Sequence, residues 1–298
     1  MIFLRKKQIF AVSVFAFSSL LLSSACKQRT FNSKANSSGQ EGSDLNTEGA
    51  IETTANVVSP AFLAPAGECE KSAANAEGGY DVAKRFMLRL SPPAFETKYK
   101  GLAPAPAPGE AGKPYNEIMT EYEFGLVLAY SGGLYRELNQ SLLEDKVPAT
   151  SVPRVKCLTS AVNKLAKNNG GFNRTITYRG VYLRNEFLEK YKKGETVTEN
   201  MFLSTSLSRN VALNFSGLSA GGSEEGKTSV LFLFQLSGSM GADISPISAS
   251  QEEAEILLPA GHSFEVIDRT EETAEVTRAD QVKVSGQVVV VKLAPSTK

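Results

Sequence analysis

Residues 175–183 read TITYRGVYL, and this stretch decides how the chain is expected to fold. Its alternating pattern of β-branched, aromatic and other residues is typical of a β-strand. The alternation places Tyr178 on one face and Arg179 on the other, while Gly180 would permit close approach by a ligand. An arginine here offers a planar set of donors that suits phosphate or carboxylate, although a surface ion pair on an edge strand is the simpler alternative.

Helical patterns precede this strand and further strand patterns follow it. Apolar residues at helical spacing predict helices within residues 80–90, 116–143 and 156–167, and Ser91-Pro92-Pro93 is expected to end the first of them. Ser131-Gly132-Gly133 is expected to break the second. Strands are predicted within residues 201–207, 230–236, 255–258, 263–268 and 282–293. Helices first and strands second indicate an α+β fold in one domain of about 220 residues.

The composition excludes several classes of protein. The chain has 298 residues with 32 lysines and arginines against 32 aspartates and glutamates, so its formal net charge is zero. A nucleic-acid-binding protein normally carries a basic excess, and we therefore expect no nucleic-acid partner. His262 is the only histidine and there are three cysteines, too few for a histidine-rich metal site or a site of four cysteines. We expect no bound metal.

The first residues are typical of an export signal. Basic residues at 5–7 precede an apolar run at 9–22 and the small-residue sequence Ser23-Ser24-Ala25-Cys26. This order predicts a signal peptide over residues 1–25 and resembles a bacterial lipoprotein signal, in which Cys26 would be lipidated. Ordinary cleavage and an uncleaved anchor remain as alternatives. We expect an exported chain that is either an outer-membrane lipoprotein or secreted.

A polar segment separates this signal from the globular part. Residues 26–70 are mostly Ser, Asn, Gly, Thr, Glu and Gln, which predicts a flexible tether, and residues 71–298 are predicted to form the folded domain. If Cys26 carries lipid, Cys69 and Cys157 are left in an oxidising compartment either as a disulfide or as two free thiols.

Residues 221–228 read GGSEEGKT and match the phosphate-binding pattern G-x-x-x-x-G-K-T letter for letter. That motif requires a strand before the loop and a helix after it, so that amide groups and a helix N-terminus meet the phosphates. Here the preceding residues have a helical pattern and the following residues a strand pattern. We therefore interpret the segment as a Gly/Ser-rich surface loop.

Two further segments carry polar side chains on predicted strands. Ser204 and Ser206 alternate within FLSTSL and would share a face, as would Glu253 and Glu255 within EAEILLP. Two neighbouring carboxylates repel one another, which raises the pKa of one and is unusual unless the pair does chemistry. Taken singly, an ordinary strand with hydroxyl residues and a solvated acidic pair are the simpler interpretations.

The order of these three motifs along the chain identifies a protein family more specifically than any single motif does. Arg179, then Ser204-Thr205-Ser206, then Glu253-x-Glu255 resembles the arginine–serine–glutamate class of mono-ADP-ribosyltransferases, which includes cholera toxin, the clostridial binary toxins and the vertebrate surface transferases. The segments at 129–142, 210–226 and 243–266 resemble other parts of that family. The resemblance covers roughly residues 115–294, and it implies N-terminal helices followed by two packed β-sheets that form an NAD-binding cleft.

The resemblance also implies roles for individual residues. Arg179, with Gly180 beside it, would hold the NAD phosphates, and Ser204 would orient the catalytic Glu255 within a strand that Thr205 and Ser206 complete. Glu255 would bind the ribose 2′-hydroxyl and stabilise the positive charge that develops as the nicotinamide bond breaks. Glu253 would engage the acceptor side chain, because a charged guanidinium must be oriented and deprotonated to react.

The expected function is therefore NAD(+)–protein-arginine ADP-ribosyltransferase, toxin-like or effector-like, with NAD as co-substrate and release of nicotinamide. The expected partner is a target protein with an acceptor arginine, with membrane contact only through a lipid on Cys26, and the chain is expected to be a monomer. Residues 245–250 contain no aromatic residue of the kind many family members use for target recognition. An NAD glycohydrolase on the same site and a catalytically silent surface-binding lipoprotein remain as alternatives.

Overall fold

The computed structural model of the chain describes residues 69, 78–87, 89–104, 112–221, 224–278 and 280–296. Within these residues, six of the eight α-helices precede the first strand and all eight strands lie between Phe172 and Pro295, which confirms the α+β class. The helices are α1 Gly79–Phe86, α2 Pro92–Gly101, α3 Tyr115–Ile118, α4 Glu121–Ala129, α5 Tyr135–Leu143, α6 Val152–Asn168, α7 Asn185–Leu188 and α8 Arg209–Phe215. The strands are β1 Phe172–Arg184, β2 Thr196–Glu199, β3 Leu203–Ser206, β4 Lys227–Gly238, β5 Ala242–Asp243, β6 Glu255–Leu258, β7 His262–Thr277 and β8 Lys283–Pro295.

The strands form one hydrogen-bonded sheet with the order β2-β7-β8-β4-β1-β3-β6-β5. Two sheets were expected, and the difference lies at β1 and β3, which share only the register pair Tyr178 and Ser206. The two parts of the sheet also pack against each other, because Leu203 and Ile256 lie in one apolar cluster with Phe232 and Val291. The expected packing is therefore present, while a narrow junction joins its two layers into a single sheet.

Helices α1–α6 form a separate apolar core with Phe202 before β3, Ala242 of β5 and Leu257 of β6. Helix α4 is buried along nearly its whole length, and its first turn is closed by a reciprocal capping box between Thr120 and Glu123. The predicted break between α4 and α5 is confirmed as a π-helical turn at Tyr130–Leu134, where Gly133 has a φ of 151° that favours glycine. None of the helices in the described part of the chain combines the length and hydrophobicity that a membrane crossing requires.

A disulfide joins Cys69 to Cys157 on α6. Of the alternatives that the sequence leaves open for these two residues, the structure shows the bonded one. Cys69 belongs by sequence pattern to the end of the tether, and its bond ties that end to the helical core. The predicted signal peptide, the lipidated Cys26 and the rest of the tether lie outside the described residues.

Some local expectations were wrong. Pro92 and Pro93 were expected to end a helix, but they begin α2, because proline fits the first helical turn, where its missing N–H is not needed. The short strands β2 and β5 were not predicted: β5 has only two residues, and β2 alternates exposed and buried residues over only four positions, with a single apolar residue among them. His262, the only histidine of the sequence, opens β7 opposite Glu199 of β2, and burial lowers its pKa.

The Gly/Ser-rich segment before β4 has no phosphate-loop architecture in its described part. It is followed by β4 and not by a helix, and α8 precedes it, as the sequence pattern predicted. Lys227 is held by Glu224 at 2.8 Å, and its Nζ also lies 5.6 Å from the ring centroid of Tyr182. The lysine therefore contacts Glu224 of its own surface loop and Tyr182 of β1.

Candidate active site

Three adjacent strands bring the predicted arginine, serine and glutamate together. β1, β3 and β6 are neighbours in the sheet and carry Arg179, Ser204 and Glu255 respectively. Arg179 Nη1 donates to the Ser204 carbonyl oxygen at 2.7 Å, and Ser204 Oγ donates to Glu255 Oε1 at 2.6 Å. The Arg179 guanidinium thus holds the backbone of Ser204, and the Ser204 hydroxyl holds the Glu255 carboxylate.

Glu255 is a buried carboxylate held by hydroxyl groups. Its residue is 5% exposed, and Ser248 Oγ donates to its second oxygen, Oε2, at 3.1 Å. Burial raises the pKa of Glu255, because the charged form loses its water, while the hydrogen bonds from Ser204 and Ser248 and the charge of Arg179 act in the opposite direction. Such a carboxylate can stabilise a positive charge that develops within hydrogen-bonding distance.

Glu253 lies beside Glu255 but not on the same strand, so the expectation of two glutamates on one extended segment was wrong. Glu253 ends a short 3₁₀ turn at Gln251–Glu253, and Ala254 then takes a left-handed conformation with a φ of 46° and a ψ of 53°. Strand β6 begins only at Glu255. This turn still leaves the two carboxylates within electrostatic reach. Burial, followed by the charges of Glu255 and Glu252, raises the pKa of Glu253 to about 7.

The other two hydroxyls of the serine strand have local partners. Ser206 Oγ donates to the Glu253 carbonyl oxygen at 2.6 Å and accepts from the Ser208 amide at 2.9 Å. Thr205 is buried and donates to the Ile256 carbonyl oxygen at 3.0 Å. Their hydroxyls tie β3 to the segment that carries the two glutamates, and the part in NAD binding that the family resemblance implies for both residues stays a prediction.

Gly180 is approached by the protein's own backbone on the side where a side chain would lie. A Cβ atom at this residue would lie 1.7 Å from the carbonyl oxygen of Ala212 on α8. The space on this side is therefore filled by α8, and contact between Gly180 and NAD stays a prediction. The glycine allows α8 to pack directly on β1 beside Arg179.

A clamp from the helical region holds the start of the serine strand. The Asn139 side chain accepts from the Phe202 amide at 3.1 Å and donates to the Phe202 carbonyl oxygen at 3.0 Å. The buried Tyr130 hydroxyl donates to the same carbonyl oxygen at 3.2 Å. The segment at 129–142, which carries Tyr130 and Asn139, was identified from the sequence, but the sequence assigned these two residues no role. Only the fold shows that they contact Phe202, which lies two residues before Ser204.

Ser248 was also missed as a site residue. It lies in the stretch DISPISAS, which resembles part of the family and lacks an aromatic residue, but neither feature gives Ser248 a role. No spacing rule marks one serine among several in a loop. The signal that could have found it is its position shortly before the acidic pair, on a segment that must fold back over Glu255.

The site combines one cation with two carboxylates in different surroundings. Pairs of ionisable groups whose environments separate their pKa values are typical of acid–base chemistry. Arg179 can bind an anion with donors other than the one used on Ser204, while Glu253 can exchange a proton near neutral pH. Such a site suits a substrate whose anionic groups bind Arg179 and in which positive charge develops at one carbon during the reaction, where a carboxylate can stabilise it.

Comparison with known proteins finds curated proteins that are similar in sequence and solved structures that are similar in fold. Mav of Mycobacterium avium (strain 104) is 36% identical over 141 residues, which are 47% of this chain and 15% of that protein. The NAD(+)–protein-arginine ADP-ribosyltransferase Tre1 of Serratia proteamaculans (strain 568) is 31% identical over 160 residues, 52% of this chain and 30% of Tre1. The chain therefore spans less than a third of the length of these curated relatives.

A solved structure of exoenzyme S from Pseudomonas aeruginosa, in complex with human 14-3-3 protein beta and bound to carba-NAD, is similar with a TM-score of 0.44. It is 20% identical and covers 73% of this chain and 88% of its own. The family model for NAD:arginine ADP-ribosyltransferases matches residues 111–284, which include all the site residues described above. Because this match spans more than half of the sequence, the chain belongs to the NAD:arginine ADP-ribosyltransferase family.

Proposed function

We propose that the protein transfers ADP-ribose from NAD to an arginine side chain of a target protein and releases nicotinamide. The observation that carries this proposal is the hydrogen-bonded series from Arg179 through Ser204 to the buried Glu255. Membership of the NAD:arginine ADP-ribosyltransferase family and the name of the relative Tre1 support the same activity.

The residues present suit NAD as the co-substrate. NAD carries a negatively charged diphosphate, for which a guanidinium such as that of Arg179 is a suitable partner. Breaking the bond between nicotinamide and ribose leaves positive charge on the sugar. Glu255 can stabilise that charge, because Ser204 and Ser248 hold its carboxylate in one orientation.

Glu253 supplies the acceptor step of the proposal. An arginine side chain is positively charged at neutral pH and becomes nucleophilic only when it loses a proton. A neighbouring carboxylate with a pKa of about 7 can attract the guanidinium and accept that proton. The negative charge of ionised Glu253 favours an arginine acceptor over water, because it attracts the guanidinium, whereas a base could assist either acceptor.

The test is label transfer by the purified protein with its disulfide formed. The protein is incubated with adenine-labelled NAD and polyarginine, and nicotinamide release is followed in parallel. We expect label on the polymer, and a free guanidino compound should compete for it. Glu255→Gln, which keeps the shape of the side chain, should lose both the label on the polymer and the release of nicotinamide. Polylysine serves as the matched control polymer and should stay unlabelled.

Each alternative gives a different result in the same assay. Nicotinamide release without label on any protein would replace the proposal by an NAD glycohydrolase. If neither signal appears with polyarginine or with a mixed cell lysate, the protein is a binding module that keeps the fold.

We also propose that the chain is exported and works in an oxidising compartment, as an outer-membrane lipoprotein or a secreted protein. The basic and apolar N-terminus supports this, and so does the Cys69–Cys157 bond, since structural disulfides persist in such compartments. Fractionation of the producing cell, with thiol alkylation of each fraction, tests it. Reduced cysteines in a cytosolic fraction would contradict the proposal.

A further inference from the structure

The loop between β5 and β6 is anchored directly beside the catalytic carboxylate. The Ile244 amide donates to the Glu255 carbonyl oxygen at 3.0 Å, and the Ser248 amide donates to the Ile244 carbonyl oxygen at 2.8 Å. Ile244 and Ile247 are fully buried. Ser248 therefore belongs to a tight turn whose backbone and apolar side chains are fixed to β6.

The Ser248 hydroxyl has one orientation that satisfies all its neighbours. It accepts from the Ser250 amide at 3.3 Å, and Ser248 itself is only 4% exposed. A hydroxyl group has one proton to donate, and here that proton goes to Glu255 Oε2 at 3.1 Å. The donor is thus aimed at the carboxylate by a second hydrogen bond on its own oxygen.

A contact from the helical region holds the same loop. The Ala249 amide donates to Ser131 Oγ at 3.0 Å, and Ser131 Oγ donates to the Leu128 carbonyl oxygen at 3.0 Å. Ser131 lies in the π-helical turn between α4 and α5. The loop residue that follows Ser248 is therefore attached to the helices, which limits how far Ser248 can move from Glu255.

We propose that Ser248 is a second positioning residue for Glu255, which works with Ser204 by holding the opposite oxygen of the same carboxylate. This inference rests on the proposed function, in which Glu255 reacts as an ionised and oriented group. Ser204 holds Oε1 from the neighbouring strand, while Ser248 holds Oε2 from the loop. Two donors on different elements fix the carboxylate plane, whereas one donor would leave it free to rotate.

The test compares three variants by two measurements. Ser248→Ala removes the donor, Ser248→Thr keeps a hydroxyl, and Ser245→Ala removes a hydroxyl of the same loop that is bonded to Asp243 and not to Glu255. The Glu255 carboxyl is titrated by NMR on isotope-labelled glutamate, with Glu255→Gln used to assign its signal. Nicotinamide release from NAD gives kcat and KM over the same pH range.

We expect the Glu255 titration midpoint to rise by about one pH unit in Ser248→Ala, because a hydrogen bond to its charged form is lost. The rate constant kcat should fall about tenfold or more, with its acid limb moved to higher pH and a smaller change in KM. Ser248→Thr and Ser245→Ala should keep the wild-type midpoint.

An unchanged midpoint in Ser248→Ala, or an equal rise in Ser245→Ala, would overturn the inference. If Ser248→Ala does not fold, a wild-type midpoint in Ser248→Thr together with a raised midpoint in Ser248→Val decides for it, and equal midpoints in these two variants decide against it. A wild-type protein that never releases nicotinamide would refute the proposed function, while the titration would still decide whether Ser248 holds Glu255.

Discussion

Two of the glutamates that are buried in the described part of the chain, Glu123 and Glu255, are held in different ways. In the helical region, Glu123 is fully buried and receives the ammonium group of Lys164 at 2.7 and 2.8 Å, with Ser160 Oγ at 2.6 Å. At the sheet junction, Glu255 is 5% exposed and is held by the hydroxyls of Ser204 and Ser248. Arg179 is linked to Glu255 only through Ser204, because its guanidinium donates to the Ser204 carbonyl oxygen and not to the carboxylate.

The difference teaches what each region does. A buried carboxylate with a direct cation partner is neutralised, so Glu123 contributes to holding α4 against α6. Glu255 has no cation bonded directly to its carboxylate, and burial raises its pKa, although the hydrogen bonds from Ser204 and Ser248 and the charge of Arg179 offset part of that rise. Its charge remains available to a substrate. Stability should therefore depend on the helical region and activity on the junction.

The largest effect on stability should come from the disulfide that closes the helical region. Replacing Cys69 and Cys157 together by serine removes a link between residues 88 positions apart. Chain entropy alone then lowers the free energy of unfolding by about 4–5 kcal/mol, as measured by denaturant titration. NAD cleavage per folded molecule should stay close to wild type. Loss of activity in molecules that remain folded would break the separation between the two regions.

Glu123→Gln should be the next largest change. It leaves Lys164 without its charged partner, and breaking a buried pair costs about 3–5 kcal/mol when both members are buried. Because Lys164 is 38% exposed, we expect about 2–3 kcal/mol here. The double variant Glu123→Gln/Lys164→Met, which removes both charges, should recover much of the loss in thermal unfolding. No recovery would argue that Glu123 acts mainly through its capping hydrogen bonds.

Ser204→Ala tests the sheet junction, where activity and not stability is expected to depend on the hydrogen bonds to Glu255. It removes the 2.6 Å hydrogen bond to Glu255 Oε1, and a bond to a charged group is worth a factor of about ten to a hundred. We expect kcat for nicotinamide release to fall by that factor. Chemical denaturation should show little change in stability, since the backbone contact with Arg179 remains. A large loss of stability with unchanged kcat would assign Ser204 a structural role.

The smallest effect on NAD cleavage is expected at Glu253, whose part in arginine labelling depends on pH. Its pKa is raised to about 7, so the base form is half populated near neutral pH and increases above it. Arginine labelling should therefore rise with pH through about 7, while Glu253→Gln should abolish labelling and leave nicotinamide release largely intact. Equal losses of labelling and of release in Glu253→Gln would place this residue in the NAD step instead.

Much of this site could be predicted from the sequence, because its central residues lie on strands with clear patterns. Arg179 alternates within β1, and Ile256-Leu257-Leu258 marks β6, which places Glu255 at its start. The family resemblance supplied the rest of the order. A pattern of period two could not predict that Ala254 turns left-handed, so it placed Glu253 on the wrong element.

What the sequence could not show depends on contacts between distant residues. Gly180 carries no sign that α8 will cover it, and Asn139 meets Phe202 across 63 positions of the chain. Ser248 is one serine among several until the loop folds over Glu255. These residues act through three-dimensional neighbours, and a single sequence has no periodicity that reports such contacts.

The most direct test is nicotinamide release from NAD by wild type, Glu255→Gln and Glu123→Gln at equal concentrations of folded protein. The two substitutions remove the same charge from two buried positions. We predict that Glu123→Gln keeps the wild-type rate, whereas Glu255→Gln loses about a hundredfold to a thousandfold. Equal rates for wild type and Glu255→Gln, or an equal loss in both variants, would contradict the assignment of Glu255 as the catalytic carboxylate.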